Sequence, residues 1–437
     1  MTKNNISKYE FASSCNRYIE ADFSGGSVSS DGGGLLLQKA DRRLNLTKKI
    51  SSLITDPRDK NKSRHSLLSI IRQQIYSIAL GYEDINDHNH LRNDILFQTI
   101  VSRDSSLSSP STLSRFQNSV LKEDMFSLSR LMVDHFMDSF DKEPEEIILD
   151  FDATDDPTHG GQENTFFNGY YKHYCFLPLY VFCGSFPLCA YLRPSNIDGA
   201  KHSGAILKLL VKYIRKSWSN CRIIFRGDGG FCRRRLLSWC ERNNVEFIVG
   251  YSKNNRVMDM AKDTREKAKE EFDRTGKKQR YFSEFYYGAD TWKTERRIIA
   301  KSEYMEKGDN NRFIVTSLTG EPQCLYDNIY CARGDMENRI KEQQLDLFAD
   351  RTSASKWWAN QFRLILSTFA YILIDFIRTE AAKHTKLAKA QCGTIRNKLL
   401  KIGAVVIRNT RKVKIHMSTY FPYINIFRKV FEALCFT

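Results

Sequence analysis

The sequence lacks several patterns that would indicate particular classes of protein. Its eleven cysteines include no pair separated by two residues, so no spacing points to a structural zinc site or to a disulfide framework. We expect them to be buried or free thiols of a reducing compartment. No GxxxxGKS or GxxxxGKT phosphate loop occurs, and no local motif suggests a Ser-His-Asp or Cys-His nucleophile. No internal repeat is visible.

Long apolar runs are also missing. The N-terminal sequence MTKNNISKYEFASS contains no apolar core of a signal peptide. The most apolar uncharged stretch, Tyr174–Leu192, is interrupted by two prolines and by Gly184-Ser185. A bilayer span needs about 20 apolar residues, so this stretch predicts two strands joined at Gly184-Ser185 instead. We expect a cytoplasmic protein that does not associate with membranes.

The charge balance is strongly positive. The chain has 437 residues, with 67 Lys and Arg against 51 Asp and Glu and a net charge of +16. A surplus of this size indicates a polyanionic partner, of which nucleic acid is the usual one. The alternative is a basic but otherwise ordinary enzyme. Since 41% of the residues are hydrophobic, the chain can bury a sizeable core, and its length suggests two to four domains at roughly 100–200 residues each.

Five regions differ in composition and in the secondary structure that their sequence patterns predict. They are residues 1–145, mainly helical; 146–252, alternating strands and helices; 253–320, a charged stretch followed by strand-like runs; 321–382, helical; and 383–437, basic. The second region predicts three strands, a helix, a strand, a helix and a strand, which fits an α/β layer on a mixed sheet as in ribonuclease H folds. We expect residues 253–320 to form an inserted, β-rich subdomain.

Two regions outside this α/β layer carry residues suited to DNA contacts. After Ser109-Pro110, a helix start, the segment PSTLSRFQNSV displays Ser111, Ser114, Arg115, Gln117 and Asn118. This helix is either part of a DNA-binding helix-turn-helix or an ordinary polar surface helix. From Lys383 to Lys414 there are ten Lys or Arg and no acid, in alternation with apolar residues. This pattern predicts a folded segment that contacts a DNA backbone or presents a solvated face.

Two aspartates stand at the ends of apolar strands. Asp152 ends IILDFD and Asp228 ends RIIFRGD, and the carboxyl ends of strands are where active sites form in α/β sheets. Buried carboxylates need a neutralising cation, which a hard divalent ion supplies through oxygen ligands. Asp150 would face the same side as Asp152 but lies farther from the strand end. The other polar residues nearby are Asp155 and Asp156, which are alternatives, and His159, which would orient a water or a phosphate.

A third acid follows on a helix. Tyr330, Arg333, Glu337 and Lys341 are spaced three, four and four residues apart, which places them on one helical face. On an exposed helix this spacing is a common salt-bridge ladder. Here Glu337 can complete a site of three acids, while the cations and the tyrosine hydroxyl can hold phosphates. Such a set suits phosphodiester chemistry, in which two metal ions about 4 Å apart stabilise the attacking and leaving oxygens.

The sequence resembles the DDE transposases of bacterial insertion sequences, in the insertion sequence 4 superfamily and its insertion sequence 1380 group. The resemblance covers nearly the whole chain and includes, in order, GYEDINDHNHLRND at 81–94, STLSRFQN at 111–118, LDFDATDDPTHGGQE at 149–163, FNGYYKHYCFLPLYVF at 167–182, LRPSNIDGA at 192–200, RGDGGFCR at 226–233, MENRIKE at 336–342 and DRTSASKWWANQFRLILSTFAY at 350–371.

The resemblance implies specific roles. Asp152, Asp228 and Glu337 match the three catalytic acids that hold two Mg²⁺ ions, for which Mn²⁺ can substitute. Tyr330 and Arg333 match the tyrosine and arginine of the family signature. The usual lysine, two turns after the glutamate, falls on Gln344 here, so Lys341 is its expected substitute. The run RGDGG also departs from the more usual arginine-alanine-aspartate-serine-glycine, although it keeps the acid.

Similar enzymes carry a β insertion between the second aspartate and the glutamate, the interval that contains residues 253–320. Relatives with this insertion stack a tryptophan on a flipped base, and Trp292 is the one tryptophan in the interval. Stacking would offset part of the few kcal/mol that unpairing a base costs. The alternative is that Trp292 belongs to the core of the insertion.

The resemblance implies a cut-and-paste transposase with a ribonuclease H-like core and a helical N-terminal DNA-binding region. Its expected partners are the terminal inverted repeats and target DNA, with a homodimer in the DNA complex at the nucleoid. Three other functions stay open at this point. They are a decayed or domesticated transposase that only binds DNA, a nuclease without strand transfer, and a sugar hydrolase with a pair of carboxylates.

Overall fold

The computed structural model of the protein describes residues 8–59 and 61–435. These form two compact units, one drawn from residues 1–119 and 369–437 and the other from residues 120–368. The first unit therefore combines N-terminal and C-terminal segments of the described residues, and the second contains Asp152, Asp228 and Glu337.

The N-terminal segment is mainly helical after a short β-hairpin. Its elements are β1 (Tyr9–Ser14), β2 (Arg17–Ala21), β3 (Val28–Ser29), α1 (Gly34–Leu44), α2 (Leu46–Leu53), α3 (Leu67–Leu80), α4 (His88–Leu91), α5 (Ile95–Val101) and α6 (Pro110–Gln117). Local capping sets several of their ends. Ser66 Oγ accepts from the amide of Ser69 at 3.2 Å at the start of α3, and Gly81, with φ of 91°, ends that helix.

Helix α6 starts as its sequence predicts. Ser109 Oγ accepts from the amide of Thr112, and Pro110 occupies the first helical position. Ser111, Arg115 and Asn118 are exposed, but the prediction that Gln117 is displayed was wrong. Gln117 is buried, and its Nε2 donates to Gln74 Oε1 at 2.7 Å, because it shares the inner face of the helix with Leu113 and Phe116.

The second unit begins with a helix and continues through most of the strands. Its elements are α7 (Lys122–Asp138), β4 (Glu146–Ala153), β5 (Asp156–Pro157), β6 (Phe166–Asn168), β7 (His173–Phe176), β8 (Leu179–Cys183), β9 (Phe186–Tyr191), α8 (Ser203–Ile214), β10 (Arg222–Gly227), α9 (Arg234–Arg242), β11 (Val245–Tyr251), α10 (Asn255–Met260), α11 (Lys262–Thr275), β12 (Gln279–Tyr287), β13 (Arg296–Met305), β14 (Gly308–Asp309), β15 (Arg312–Thr316), α12 (Pro322–Cys324), α13 (Gly334–Lys341) and the first part of α14 (Trp357–Phe376), which continues into the first unit after residue 368.

A nine-stranded mixed sheet organises this unit. The strand order is β12-β13-β15-β11-β10-β4-β8-β9, with β14 paired to β13. Strand β10 is parallel to both β4 and β11, and the other pairs are antiparallel. The predicted order of three strands, helix, strand, helix and strand is confirmed by β4, β8, β9, α8, β10, α9 and β11. The predicted hairpin at Gly184-Ser185 is also confirmed, because Gly184, with φ of 59°, turns β8 into β9.

The interval 253–320 differs from the expected separate β subdomain. Its charged first part forms helices α10 and α11, and its long strands continue the main sheet. Strand β15 pairs antiparallel with β11, from Ile248 opposite Thr316 to Tyr251 opposite Phe313. Strand β15 forms backbone hydrogen bonds with the edge of β11 that would otherwise be unpaired, which is why these strands extend the central sheet.

Alternation along β4 assigns its side chains to two faces of the sheet. Ile147, Leu149 and Phe151 join the larger hydrophobic core, whereas Ile148 packs on the opposite cluster with Ile224 and Tyr326. Because successive strand residues point to opposite faces, Asp150 and Asp152 share the face of Ile148. The helical segment from Leu325 to Tyr330 packs on that face.

The C-terminal elements are α15 (Cys392–Ile395), β16 (Ala404–Arg408), β17 (Val413–Met417) and α16 (Ile424–Ala433). Strands β16 and β17 form an antiparallel hairpin, and β3 pairs with the other edge of β16. The basic tail is thus folded, as its alternation of apolar and charged residues predicts.

The apolar stripe that starts near Trp358 forms α14, a helix of 20 residues. Phe362, Ile365, Phe369 and Leu373 are fully buried in it, so α14 is a core helix of the helical region predicted at 321–382. Within residues 8–59 and 61–435, no helix combines the length and apolar character that a bilayer crossing requires.

Candidate active site

The two strand-end aspartates lie side by side in the sheet. In the parallel pair β4 and β10, Gly227 is the register partner of Phe151. The residues that follow these two are Asp228 and Asp152, so both acids come from the carboxyl ends of adjacent parallel strands. This is the edge of an α/β sheet where functional groups collect.

Local hydrogen bonds hold each aspartate. Asp152 Oδ1 accepts from the amide of Ala153 at 2.9 Å, and Asp228 Oδ1 accepts from the amide of Gly230 at 2.8 Å. The glycine after Asp228 allows a tight helical turn, Gly229–Phe231, directly after the strand. Both carboxylates therefore keep their second oxygen for other partners.

A continuous helical stretch over residues 322–346 brings the remaining signature residues to this edge. Arg333 Nη2 lies 2.7 Å from Glu337 Oε1, and Arg333 Nη1 lies 3.8 Å from Asp152 Oδ2. One guanidinium thus pairs with two of the three acids. Arg333 thus lies between Asp152 and Glu337, and Asp228 is close enough to influence the pKa of Asp152.

The acids influence one another electrostatically. The pKa of Asp152 is raised to about 7, mainly by burial; Arg333 lowers it, and the negative charges of Asp228 and Glu337 add to the increase. Asp152 has a side chain that is 17% exposed, so its charge is poorly solvated. Desolvation among like charges is the situation in which a carboxylate takes up a cation.

Three carboxylates form a donor set of the kind that Mg²⁺ prefers. Their side chains are nevertheless spread around Arg333, and the part of the chain that the structure describes contains no group of three or more His, Cys, Asp or Glu placed to hold a metal ion. The donor chemistry fits a divalent cation, whereas the present rotamers direct Glu337 and Asp152 to Arg333.

Tyr330 lies on the same helical stretch, close to the turn after β10. Its hydroxyl is 2.8 Å from the position that a Cβ on Gly250 would take, and the backbone nitrogen of Gly229 is 2.6 Å from that position. Burial raises the pKa of Tyr330, with Arg333 opposing and Asp228 adding to the shift. The absence of a side chain at Gly250 therefore allows the tyrosine to approach the Asp228 turn.

Asp150, the alternative to Asp152, is occupied by another partner. Arg226 donates from Nη2 to Asp150 Oδ2 at 2.6 Å and from Nε to Oδ1, and its Nη1 donates to the carbonyl of Ile329. Arg226 and Asp150 are register partners on adjacent strands. No sequence pattern singled out Arg226, although its position two residues before Asp228 places it on the same strand face.

The other acids after β4 also have internal partners. Asp155 Oδ2 lies 2.8 Å from His173 Nε2. Asp156 is fully buried, and Gln344 Nε2 donates to its Oδ1 at 2.9 Å and to the carbonyl of Asp155 at 2.9 Å. Gln344, at the position of the usual lysine, therefore ties the helix of Glu337 to the turn after Asp152. His159 is exposed.

Lys341, the expected substitute for that lysine, is exposed at the end of α13. Arg115 is exposed on α6 in the other unit.

Trp292 is half-buried in the turn between β12 and β13. Its ring centroid lies 5.6 Å from that of Tyr251 and 6.1 Å from that of Tyr287, and the guanidinium of Arg296 lies 4.5 Å from the centroid of the tryptophan ring. This environment is that of a packed aromatic, in line with the alternative of a core residue.

The chain was compared with protein-family models, curated proteins and solved structures. The family described as Transposase DDE domain group 1 matches residues 11–436. Among solved structures, a piggyBac transposase synaptic complex with hairpin DNA is similar at 13% sequence identity, with a TM-score of 0.43, over 85% of this chain and 79% of that chain. No curated protein matches the sequence. Because the family match spans nearly all of the 437 residues, it confirms the broader part of the expected relationship: the chain belongs to the DDE transposase family.

Proposed function

We propose that the protein is a cut-and-paste DNA transposase of the insertion sequence 4 superfamily, in its insertion sequence 1380 group. The observation that carries this proposal is the register of β4 and β10, which sets Asp152 beside Asp228, together with Arg333, which pairs with Glu337 and Asp152. The order β9-β8-β4-β10-β11 within the sheet supports the ribonuclease H-like core expected for such an enzyme.

In this proposal Asp152, Asp228 and Glu337 are the catalytic residues and would hold two Mg²⁺ ions, for which Mn²⁺ can substitute. When bound, the cations supply charge neutralisation for the attacking and leaving oxygens of a phosphodiester. Water attacks the phosphodiester at the element boundary and releases a 3′ hydroxyl, which later attacks target DNA. The same three acids serve each of these phosphoryl transfers.

The basic and aromatic residues around the acids would position the DNA. Arg333 would exchange its carboxylate partners for phosphate oxygens, which match its planar fork of donors. The Tyr330 hydroxyl and the exposed Lys341 ammonium would contact neighbouring phosphates. Trp292 would stack on an unpaired base after leaving its packing on Tyr251 and Tyr287.

The proposed partners are the terminal inverted repeats and target DNA, bound by a homodimer. The net charge of +16 supports a polyanionic partner, and the exposed face of α6 with Arg115 is the proposed DNA-binding surface of the helical region. Location at the nucleoid follows from this partner.

The test is cleavage of a labelled duplex that carries the end of the element, in Mg²⁺ and in EDTA. We expect nicking at the element boundary that requires the metal and disappears in Glu337→Gln. The control is Glu342→Gln, which removes an acid on the same helical stretch. Tight binding of the end without cleavage in Mg²⁺ or Mn²⁺ would contradict the proposal and favour a protein that only binds DNA. Nicking without joining of precut ends would favour a nuclease.

A further inference from the structure

A polar cavity of about 310 Å³ lies in the unit formed by residues 1–119 and 369–437, in a different part of the chain from the three acids. Seven residues line it, namely Asp41, Arg42, Asn45, Thr47, Lys48, Arg72 and Ser102. Among them are three cations and one carboxylate, so the lining carries a surplus of positive charge. No role in strand cleavage accounts for this cavity.

The single carboxylate is engaged by its own neighbours. Asp41 Oδ1 accepts from the amide of Thr47 at 2.7 Å, and Oδ2 accepts from Thr47 Oγ1 at 2.6 Å and from the Tyr76 hydroxyl at 2.7 Å. Asp41 is 1% exposed. These bonds fix the corner between α1 and α2, and they use the acceptor capacity of the carboxylate within the protein.

Arg72 is buried at the cavity wall, with 7% of its surface exposed. Its Nε donates to Thr47 Oγ1 at 3.2 Å and its Nη1 to Ser102 Oγ at 3.3 Å, both neutral acceptors. Asp41 Oδ2 lies 3.5 Å from Nε. Within residues 8–59 and 61–435, Nη2 of Arg72 has no hydrogen-bond partner. A buried guanidinium with unused donors favours an additional anionic acceptor.

The other two cations are exposed at the rim. Arg42 lies in the last turn of α1 and Lys48 lies in the first turn of α2, and across the described ranges neither forms an ion pair. The first turn of α2 contains no acid, although the amides at a helix N-terminus favour negative charge. A lysine at this place is unfavourable for the helix by itself, and an anion held in front of the helix would offset that cost.

We propose that this cavity binds a phosphate group. Arg72 and Arg42 supply planar guanidinium donors, and Lys48 supplies a compact point charge, which together suit a tetrahedral oxyanion. The phosphate is either a backbone phosphodiester of bound DNA or a free phosphate anion. The first source rests on the proposed function, whereas the second is independent of it.

The first arm of the test uses inorganic phosphate with the full-length protein. Thermal unfolding and calorimetric titration are measured in phosphate and in chloride of equal ionic strength. We expect phosphate to raise the melting temperature of the wild-type protein, and Arg42→Gln or Lys48→Gln to weaken phosphate binding roughly tenfold, as expected for loss of one charged hydrogen bond. Lys48→Arg should retain binding. The matched control is Lys49→Gln, which removes the same charge from the neighbouring residue.

The second arm measures the salt dependence of binding to a duplex without metal, so that no cleavage occurs. If the cavity holds a backbone phosphate, the double variant Arg42→Gln/Lys48→Gln lowers the slope of log K against log salt by about 0.9, the value for one phosphate contact. An unchanged slope with lost inorganic phosphate binding identifies a free anion as the ligand.

The proposal is overturned if both variants match Lys49→Gln in both arms. Its failure is distinguishable from failure of the proposed function, because cleavage of element ends depends on Asp152, Asp228 and Glu337 and can be intact in a protein whose cavity binds nothing. Conversely, if the protein does not cleave DNA, it can still bind inorganic phosphate in this cavity, and the variants can still lose that binding.

Discussion

Arg333 and Glu337 form an ion pair one helical turn apart, with 2.7 Å between Nη2 and Oε1. The same guanidinium lies 3.8 Å from Asp152. A basic side chain therefore neutralises two carboxylates to which we also assign the binding of metal ions. The arrangement implies competition between Arg333 and divalent cations for the same oxygens.

Replacement of Arg333 should separate metal binding from cleavage. In Arg333→Gln we expect divalent cations to bind roughly three- to tenfold more tightly, since two partly exposed ion pairs that compete with them are removed. Cleavage should fall, because a phosphate contact is also lost. Calorimetric titration with Mn²⁺ measures the first effect, with Arg339→Gln as the control, an arginine that pairs with Glu342 on the same stretch. Weaker metal binding in Arg333→Gln would contradict the competition.

The three acids should act as one unit in catalysis. Asp152→Asn and Asp228→Asn should each reduce the cleavage rate by about a thousandfold or more, and the double variant should lose no more than either single variant. Neither substitution should reduce thermal stability, since each removes a charge from a crowded acidic site. Cleavage rates and melting temperatures of all three variants check this, and clearly multiplicative losses would argue against a shared metal site.

Gly250 should tolerate no side chain. A Cβ there would lie 2.6 Å from the backbone nitrogen of Gly229 and 2.8 Å from the Tyr330 hydroxyl, so Gly250→Ala must displace the turn that carries Asp228. We expect a loss of stability of about 1–3 kcal/mol and a greater loss of cleavage. Gly199→Ala is the control, because nothing lies within 4 Å of its added Cβ. Unfolding in urea and cleavage rates are the measurements, and wild-type behaviour of Gly250→Ala would refute the steric argument.

Gln344 should stabilise the protein although it departs from the family signature. Gln344→Ala removes the donor to buried Asp156 and to the carbonyl of Asp155, and we expect a loss of about 1–3 kcal/mol. Lys341→Ala, at an exposed position three residues earlier, should leave stability unchanged. Denaturant unfolding compares the two, and equal stabilities would show that the Gln344 hydrogen bonds contribute nothing net.

His88 should make stability depend on pH in the acidic range. Burial lowers its pKa from 6.5 to about 4, with Asp84 opposing, and Gln73 Nε2 donates to Nδ1 of the neutral ring at 3.1 Å. Between pH 6.5 and 4 the unfolded chain binds more protons, so this stabilisation is present above pH 6.5 and is lost as the pH falls towards 4, by about 3 kcal/mol. Between pH 8 and pH 4, the free energy of unfolding of His88→Gln should fall by about 3 kcal/mol less than that of the wild-type protein. Parallel curves would contradict this assignment.

The sequence by itself determined the strand-end acids and the elements that carry them. Apolar runs ending in acid identified β4 and β10, and the spacing of Tyr330, Arg333 and Glu337 identified one helical face. Both patterns are local, since strand burial and the helical repeat depend on neighbouring residues alone. For the same reason the hairpin at Gly184-Ser185 was predicted correctly.

Only the tertiary structure decided which partners these residues have. Pairing of β4 with β10 assigned Arg226 to Asp150 and left Asp152 for the site, and the burial of Gln117 depended on Gln74 in another helix. The strands of residues 279–316 joined the central sheet because β11 offered a free edge, and the role of Gln344 depended on a turn that lies far away in sequence. Contacts between residues distant in the chain follow from register and packing, which no local periodicity encodes.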